Sequence, residues 1–153
     1  MRKRTKIGIS LTGIATTLIV AVGTMMAVGP ASAGESSCYT NKFDVRRCVN
    51  APYKSGGYLK GSAFIEDNGY YGYASVAVNG IRLQRYANGT WYDVAGSDRA
   101  DHDGYHDSKD WAGTQIASCS PGYHRVKAKF YWYNGTNKES FWRSGPSTYV
   151  WSC

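Results

Sequence analysis

After residue 33 the hydrophobic positions of this chain recur with a period of two rather than 3.6. The clearest run is 123–133, where His124, Val126, Ala128, Phe130 and Trp132 alternate with Tyr123, Arg125, Lys127, Lys129, Tyr131 and Tyr133. Successive side chains of a strand point to opposite sides, so the first set predicts a core stripe and the second a solvent-facing one. Shorter aromatic and β-branched runs predict further strands at 43–49, 58–66, 70–78, 81–86, 90–95, 114–119, 138–143 and 148–152. Asn79-Gly80, Asn88-Gly89 and Asn134-Gly135 fall between such runs, and Asn-Gly supplies the positive φ angles of a tight hairpin turn. No segment here joins capping signals to an apolar helical repeat. The pattern predicts an all-β fold, an antiparallel sandwich of about seven to nine short strands.

The first 33 residues follow a different rule. Arg2, Lys3, Arg4 and Lys6 open the chain, an uncharged apolar stretch runs from Ile7 to Val28, and Ala31-Ser32-Ala33 follows Pro30. A basic start, an apolar segment and small residues at the last and third-last positions are the layout of a secretory signal peptide cut after Ala33. A permanent anchor of similar length is the rival reading. The glycines at 8, 13, 23 and 29 and the Ala-Ser-Ala ending favour cleavage. The expectation is a signal at 1–33 and one exported domain at 34–153, with no membrane association after cleavage.

Removing the signal changes the charge. Fourteen cationic and eleven acidic residues remain, a net charge of +3, so the working domain is only mildly basic and nucleic acid is not an expected partner. All 22 aromatic residues lie in this part, and tyrosine outnumbers phenylalanine thirteen to four. So many phenolic rings predict aromatic surface as well as aromatic core. Cys38, Cys48, Cys119 and Cys153 all follow the signal as well. An even count in an exported chain predicts two disulfides, for which three pairings exist, and Cys38–Cys48 with Cys119–Cys153 is the favoured one.

The stretch Cys119-Ser-Pro-Gly-Tyr-His-Arg-Val-Lys-Ala resembles the corner between the fifth and sixth strands of fibronectin type III and other immunoglobulin-like domains. The hairpin Phe130-Tyr-Trp-Tyr-Asn-Gly-Thr-Asn-Lys-Glu-Ser-Phe-Trp then corresponds to the last strand pair. The resemblance covers about a quarter of the exported chain. It implies a small secreted, immunoglobulin-like antiparallel β-sandwich and no particular chemistry. The Cys…Trp…Cys spacing of true immunoglobulin domains is absent.

Two segments carry candidate chemistry. The loop Asp98-Arg-Ala-Asp-His-Asp-Gly-Tyr-His-Asp-Ser-Lys-Asp places acidic side chains around Gly104. Its plain reading is a solvated turn-rich connection. The alternative is a loose calcium site on Asp101, Asp103 and Asp110, because carboxylates at alternate positions before a glycine suit a hard cation. Arg99 falls where an EF-hand needs its first carboxylate, which excludes that motif. His102 and His106 have the spacing that shares zinc on a helix, but Gly104 lies between them and no helix is predicted.

The other segment is the outward set of 123–133. Arg125, Lys127 and Lys129 followed by Tyr131 and Tyr133 form a basic, aromatic face of the kind that holds an anionic or sugar polymer by charge and stacking. Arg82, Gln84 and Tyr86 extend it if their strand lies alongside. A solvated sheet face whose lysines discourage edge pairing is the plain reading. No Gly-x-Ser-x-Gly elbow exists and every thiol is assigned to a bridge, so the expectation is a non-enzymatic binding module. Its expected partner is a cell-envelope or extracellular polysaccharide. A small inhibitor or toxin-like protein that binds another extracellular protein is the second reading, and a small hydrolase the third.

Overall fold

The computed structural model describes residues 35–69, 75–100 and 103–153. In chain order the strands are β1 (Ser36–Thr40), β2 (Val45–Asn50), β3 (Tyr53–Ser55), β4 (Tyr58–Asp67), β5 (Ser75–Ala87), β6 (Thr90–Asp93), β7 (Lys109–Ile116), β8 (Gly122–Tyr133) and β9 (Lys138–Val150). They form two antiparallel sheets. One has the order β1-β2-β4-β3 with β7 paired to β4, and the other has the order β6-β5-β8-β9. The all-β sandwich expectation holds, and no helix is present among the described residues.

The core lies between the sheets. Val45, Val49, Leu59, Ala63 and Ile65 of the first sheet meet Val76, Val78, Ile81, Leu83, Val126, Ala128, Phe130 and Trp132 of the second. The predicted inward stripe of β8 is fully buried, His124 included. Burial of a side chain such as Phe130 contributes about 2–3 kcal/mol. The indole N–H of Trp132 donates to Asp67 Oδ2 at 2.7 Å, so the largest core ring keeps no orphan donor. Where β9 crosses β2 the backbones almost touch. A Cβ on Gly145 would stand 2.8 Å from the Val49 carbonyl oxygen, so only glycine fits there.

Two hairpins follow their Asn-Gly signals. Asn88 and Gly89 adopt φ of 48° and 80° between β5 and β6, and Gly135 adopts 87° between β8 and β9. Asn79-Gly80 does not turn. The predicted strands 70–78 and 81–86 belong to one continuous β5 as far as they are described, with a bulge between Val78 and Gly80. Both halves pair with the single partner β8, and the bulge absorbs the extra residue. The predicted strands at 138–143 and 148–152 are likewise one strand, β9, which passes Pro146 at a register shift. As an edge strand, β9 tolerates a proline that lacks an N–H.

Strand β7 begins five residues before the predicted 114–119. Its inward side chains are Asp110, Ala112, Thr114 and Ile116, and two polar residues on the buried face hide the alternation. β1 and β3 carry no hydrophobic period and were not predicted. β1 is nonetheless fixed, since Cys38 lies directly opposite Cys48 in the β1–β2 register and the two are bonded. The second bridge joins Cys119 to Cys153. Both favoured pairings are present.

The connection between β6 and β7 is not a free loop. β6 pairs only with Gln84–Ala87, which leaves the rest of the β5 edge open. Isolated bridges Ile81↔Arg99 and Val76↔His106 cover it. Buried Ser97 accepts the Leu83 N–H on its hydroxyl at 3.0 Å. Such cover protects an edge that could otherwise pair with another chain.

Candidate functional site

The solvent face of the β6-β5-β8-β9 sheet carries the predicted residues. Arg125, Lys127, Lys129, Tyr131 and Tyr133 all lie on it, partly or largely exposed, opposite the buried stripe. The neighbouring strand lies alongside, as the reading of Arg82, Gln84 and Tyr86 requires. Arg82 is opposite Lys127 and Gln84 is opposite Arg125. The two hairpins add residues that the sequence reading missed: Trp91 opposite Tyr86, Trp142 opposite Lys129, and Lys138 opposite Tyr133. A two-residue loop at 88–89 and a four-residue loop at 134–137 each fix these registers, so the signal was present in the turns.

Across the strands the face divides into rows. At one end Trp91, Tyr86, Tyr123 and Tyr149 stand side by side on β6, β5, β8 and β9. Tyr86 and Trp91 have ring centres 5.2 Å apart, and Tyr123 meets Tyr149 edge-on at 5.1 Å. Trp151, the most exposed large ring among the described residues at 78%, has its ring centre 4.6 Å from that of Tyr149. Tyr86, Trp91, Tyr123 and Ser147 line an open, mainly apolar depression of about 310 Å³. Four adjacent strands place this row over roughly 14 Å at about 4.8 Å per strand.

The next row is polar and internally bonded. Arg125 Nε donates to Gln84 Oε1 at 2.9 Å, and Gln84 Nε2 donates to Asp93 Oδ1 at 2.7 Å. Arg82 Nη1 donates to the other oxygen of Asp93 at 2.6 Å. Burial pushes the Asp93 carboxyl up, but the hydrogen bonds from Gln84 and Arg82 and the charges of Arg82 and Lys127 outweigh it and hold it below its ordinary range. Burial alone lowers Arg125 from its ordinary value.

Both arginines also cap rings: Arg125 lies 4.2 Å from the centre of Trp91, and Arg82 4.2 Å from that of Trp142. The predicted basic ladder is therefore not uniform. Arg125 is tied into the sheet, whereas Lys127 makes a looser approach to Trp142 at 5.5 Å and acts on Asp93 through its charge. Tyr131 is covered in part by Tyr105, whose ring centre is 4.7 Å away.

No known family model matches this chain, and no curated protein matches it in sequence.

The acidic loop is only partly described. Asp101 and His102 lie outside the described residues, as do Tyr70, Tyr71, Gly72 and Tyr73. Asp103 and Asp110 do converge, and the group between them is His106. A polar hollow of about 510 Å³ lies at one end of the second sheet, lined by Arg85, Tyr92, Ser118, Ser120 and His124 among others. His124 Nδ1 is bonded to the Gly122 carbonyl, with Nε2 buried and unbonded, and Arg85 makes two bonds to the Pro121 carbonyl.

Proposed function

We propose that this protein is a secreted, non-enzymatic binding module that holds an extracellular or cell-envelope polysaccharide on the outer face of the β6-β5-β8-β9 sheet. The observation that carries the reading is the transverse row Trp91, Tyr86, Tyr123 and Tyr149 beside a mixed polar row in which Arg125 and Lys127 stand with Arg82, itself paired with Asp93 and Asp98. Flat rings in an open depression suit the apolar faces of sugar rings, and adjacent cations suit acidic substituents. A chain laid across the strands meets the aromatic row along its length. This moves the weight of the site from Tyr131 and Tyr133 to Tyr86 and Tyr123. Export through a cleaved signal belongs to the same proposal and is supported by the two disulfides, which persist in oxidising compartments.

The immunoglobulin-like reading of the sandwich is supported by its connectivity. The order β6-β5-β8-β9 runs like the C′-C-F-G sheet of that architecture, and β2-β4-β7 runs like its A-B-E sheet. The Pro121-Gly122 corner then leads from E to F, as the sequence resemblance implies.

Retention on insoluble acidic and neutral polysaccharides tests the function. The parent chain is expected to be retained, and Tyr86→Ala with Tyr123→Ala is expected to lose retention at both low and high salt while its thermal midpoint stays close to the parent's. Undiminished retention of that double variant rejects this face.

A further inference from the structure

A second site lies where the strapped connection meets β7. Asp103, His106 and Asp110 each offer one donor atom, and these atoms all lie within 4.8 Å of one another. His106 Nε2 is 3.3 Å from Asp103 Oδ2 and 3.5 Å from Asp110 Oδ1. We propose that this triad is a binding site for a borderline divalent transition ion, with zinc as the type case.

Two of the three donor spacings fit such an ion. With metal–ligand bonds of about 2.0–2.1 Å, donors at adjacent corners of a tetrahedron stand about 3.3–3.4 Å apart. Both imidazole–carboxylate separations fall near that edge length, and the two carboxylate oxygens, up to 4.8 Å apart, close onto the ion through the exposed side chain of Asp103. The donor set also separates this site from the calcium site considered for Asp101, Asp103 and Asp110. Calcium takes six to eight oxygens, whereas one imidazole with two carboxylates is a nitrogen–oxygen set suited to zinc and its neighbours. Water completes a three-ligand site of this kind.

The ligands are held by groups that do not themselves bind the ion. Asp110 is buried, and its two oxygens accept the N–H groups of Val78 at 2.5 Å and Trp111 at 2.6 Å. Each oxygen keeps a further lone pair, and the amides fix the plane of the carboxylate. The backbone of His106 is bonded both ways to Val76, at 2.8 and 3.0 Å. Between Asp103 and His106 the chain turns through Gly104 at φ 96°, and Tyr105 is seated on Tyr131. Outer contacts of this type orient metal ligands and raise affinity. No lysine or arginine among the described residues forms an ion pair with Asp110, whose oxygens face the two amide N–H groups and the His106 ring. A cation shared with Asp103 relieves the repulsion between the two carboxylates.

The test uses the disulfide-intact exported chain, stripped with chelator and titrated calorimetrically with zinc and separately with calcium. The proposal expects one zinc per chain, with affinity reduced at least tenfold in Asp103→Asn and in His106→Gln and lost in the double variant. Both residues are at least partly exposed, and retention of the parent's melting temperature without metal shows that the variants fold. Cobalt in place of zinc is expected to give the strong visible bands of a low-coordinate site in the parent and not in the double variant. A rise in melting temperature with zinc, absent in the double variant, gives a second readout. Absence of stoichiometric zinc uptake overturns the proposal, as does uptake unchanged in both single variants. Calcium binding more tightly than zinc overturns the assignment of the ion.

Discussion

The guanidinium of Arg125 lies 4.2 Å from the centre of the Trp91 ring while its Nε donates to Gln84. One side chain thereby joins the aromatic row to the polar row beneath it. Arg125 is a support for Trp91 as well as a cation, and it differs in this from Lys127 and Lys129, which stand on the same strand face.

That difference makes the first prediction. Lys127→Gln with Lys129→Gln is expected to weaken polysaccharide retention by about fivefold or less per charge and to flatten its salt dependence, because exposed charges contribute about 1 kcal/mol at most and are screened. Arg125→Gln is expected to weaken retention at high salt too, since it also frees Trp91. Binding isotherms across a salt series check both. An Arg125 variant that differs from parent only at low salt would show that the stacking is idle.

The second prediction concerns the most deeply buried charge. Arg47 is fully buried, bonded to the half-exposed Glu139, and 5.1 Å from the Phe141 ring centre. Burial lowers its pKa, and the charge and hydrogen bond of Glu139 oppose that shift. Glu139→Gln leaves the guanidinium without its bonded counter-charge, with the weaker charge effect of Asp67 remaining, and is expected to cost about 3 kcal/mol, near the low end for breaking a buried pair. Arg47→Met with Glu139→Leu is expected to recover most of that loss. Urea unfolding of the three chains decides it, and an unchanged midpoint for Glu139→Gln contradicts the account.

The third prediction is a pH dependence. His124 is fully buried, and desolvation, with the charge of Arg85, lowers its pKa below the ordinary 6.5 despite the bond to Gly122. Below about 6.5 the unfolded chain then binds a proton that the folded chain refuses. Its contribution to stability is complete above that pH and is lost as pH falls toward the folded value. Unfolding midpoints measured from pH 7.5 to 5 are expected to fall, and to fall less in His124→Gln. Parallel curves for the two chains would remove His124 as the cause.

The fourth prediction separates the bridges. Cys119–Cys153 spans 34 residues and Cys38–Cys48 spans 10. In the chain-entropy account the longer loop contributes about 4 kcal/mol and the shorter about 3. Replacing each pair by alanines is expected to show the larger loss for Cys119 and Cys153. The reverse order would point to packing around Cys38 and Cys48 rather than loop closure.

The fifth prediction concerns export. Mass spectrometry of the culture medium is expected to find a chain that begins at Gly34. Full-length protein retained in membranes contradicts cleavage after Ala33.

The sequence by itself determined the features that depend on neighbours in the chain. The period of two on 123–133 assigned every side chain of β8 to its correct face, because alternation is a local property of an extended backbone. Asn88-Gly89 and Asn134-Gly135 marked real turns for the same local reason. Tertiary structure decided whatever depends on a distant partner. Asn79-Gly80 has the same two residues as the turns, yet it became a bulge because β8 pairs with the chain on both sides of it. Asp110 looked like a loop residue. It turns into the core of β7 because the N–H of Val78, 32 residues away, needs an acceptor there. That single placement moved β7 and brought Asp110 to His106, a convergence that no spacing along the chain encodes. The aromatic row has the same origin, since its four rings come from four strands and become neighbours only when hydrogen bonding sets the registers.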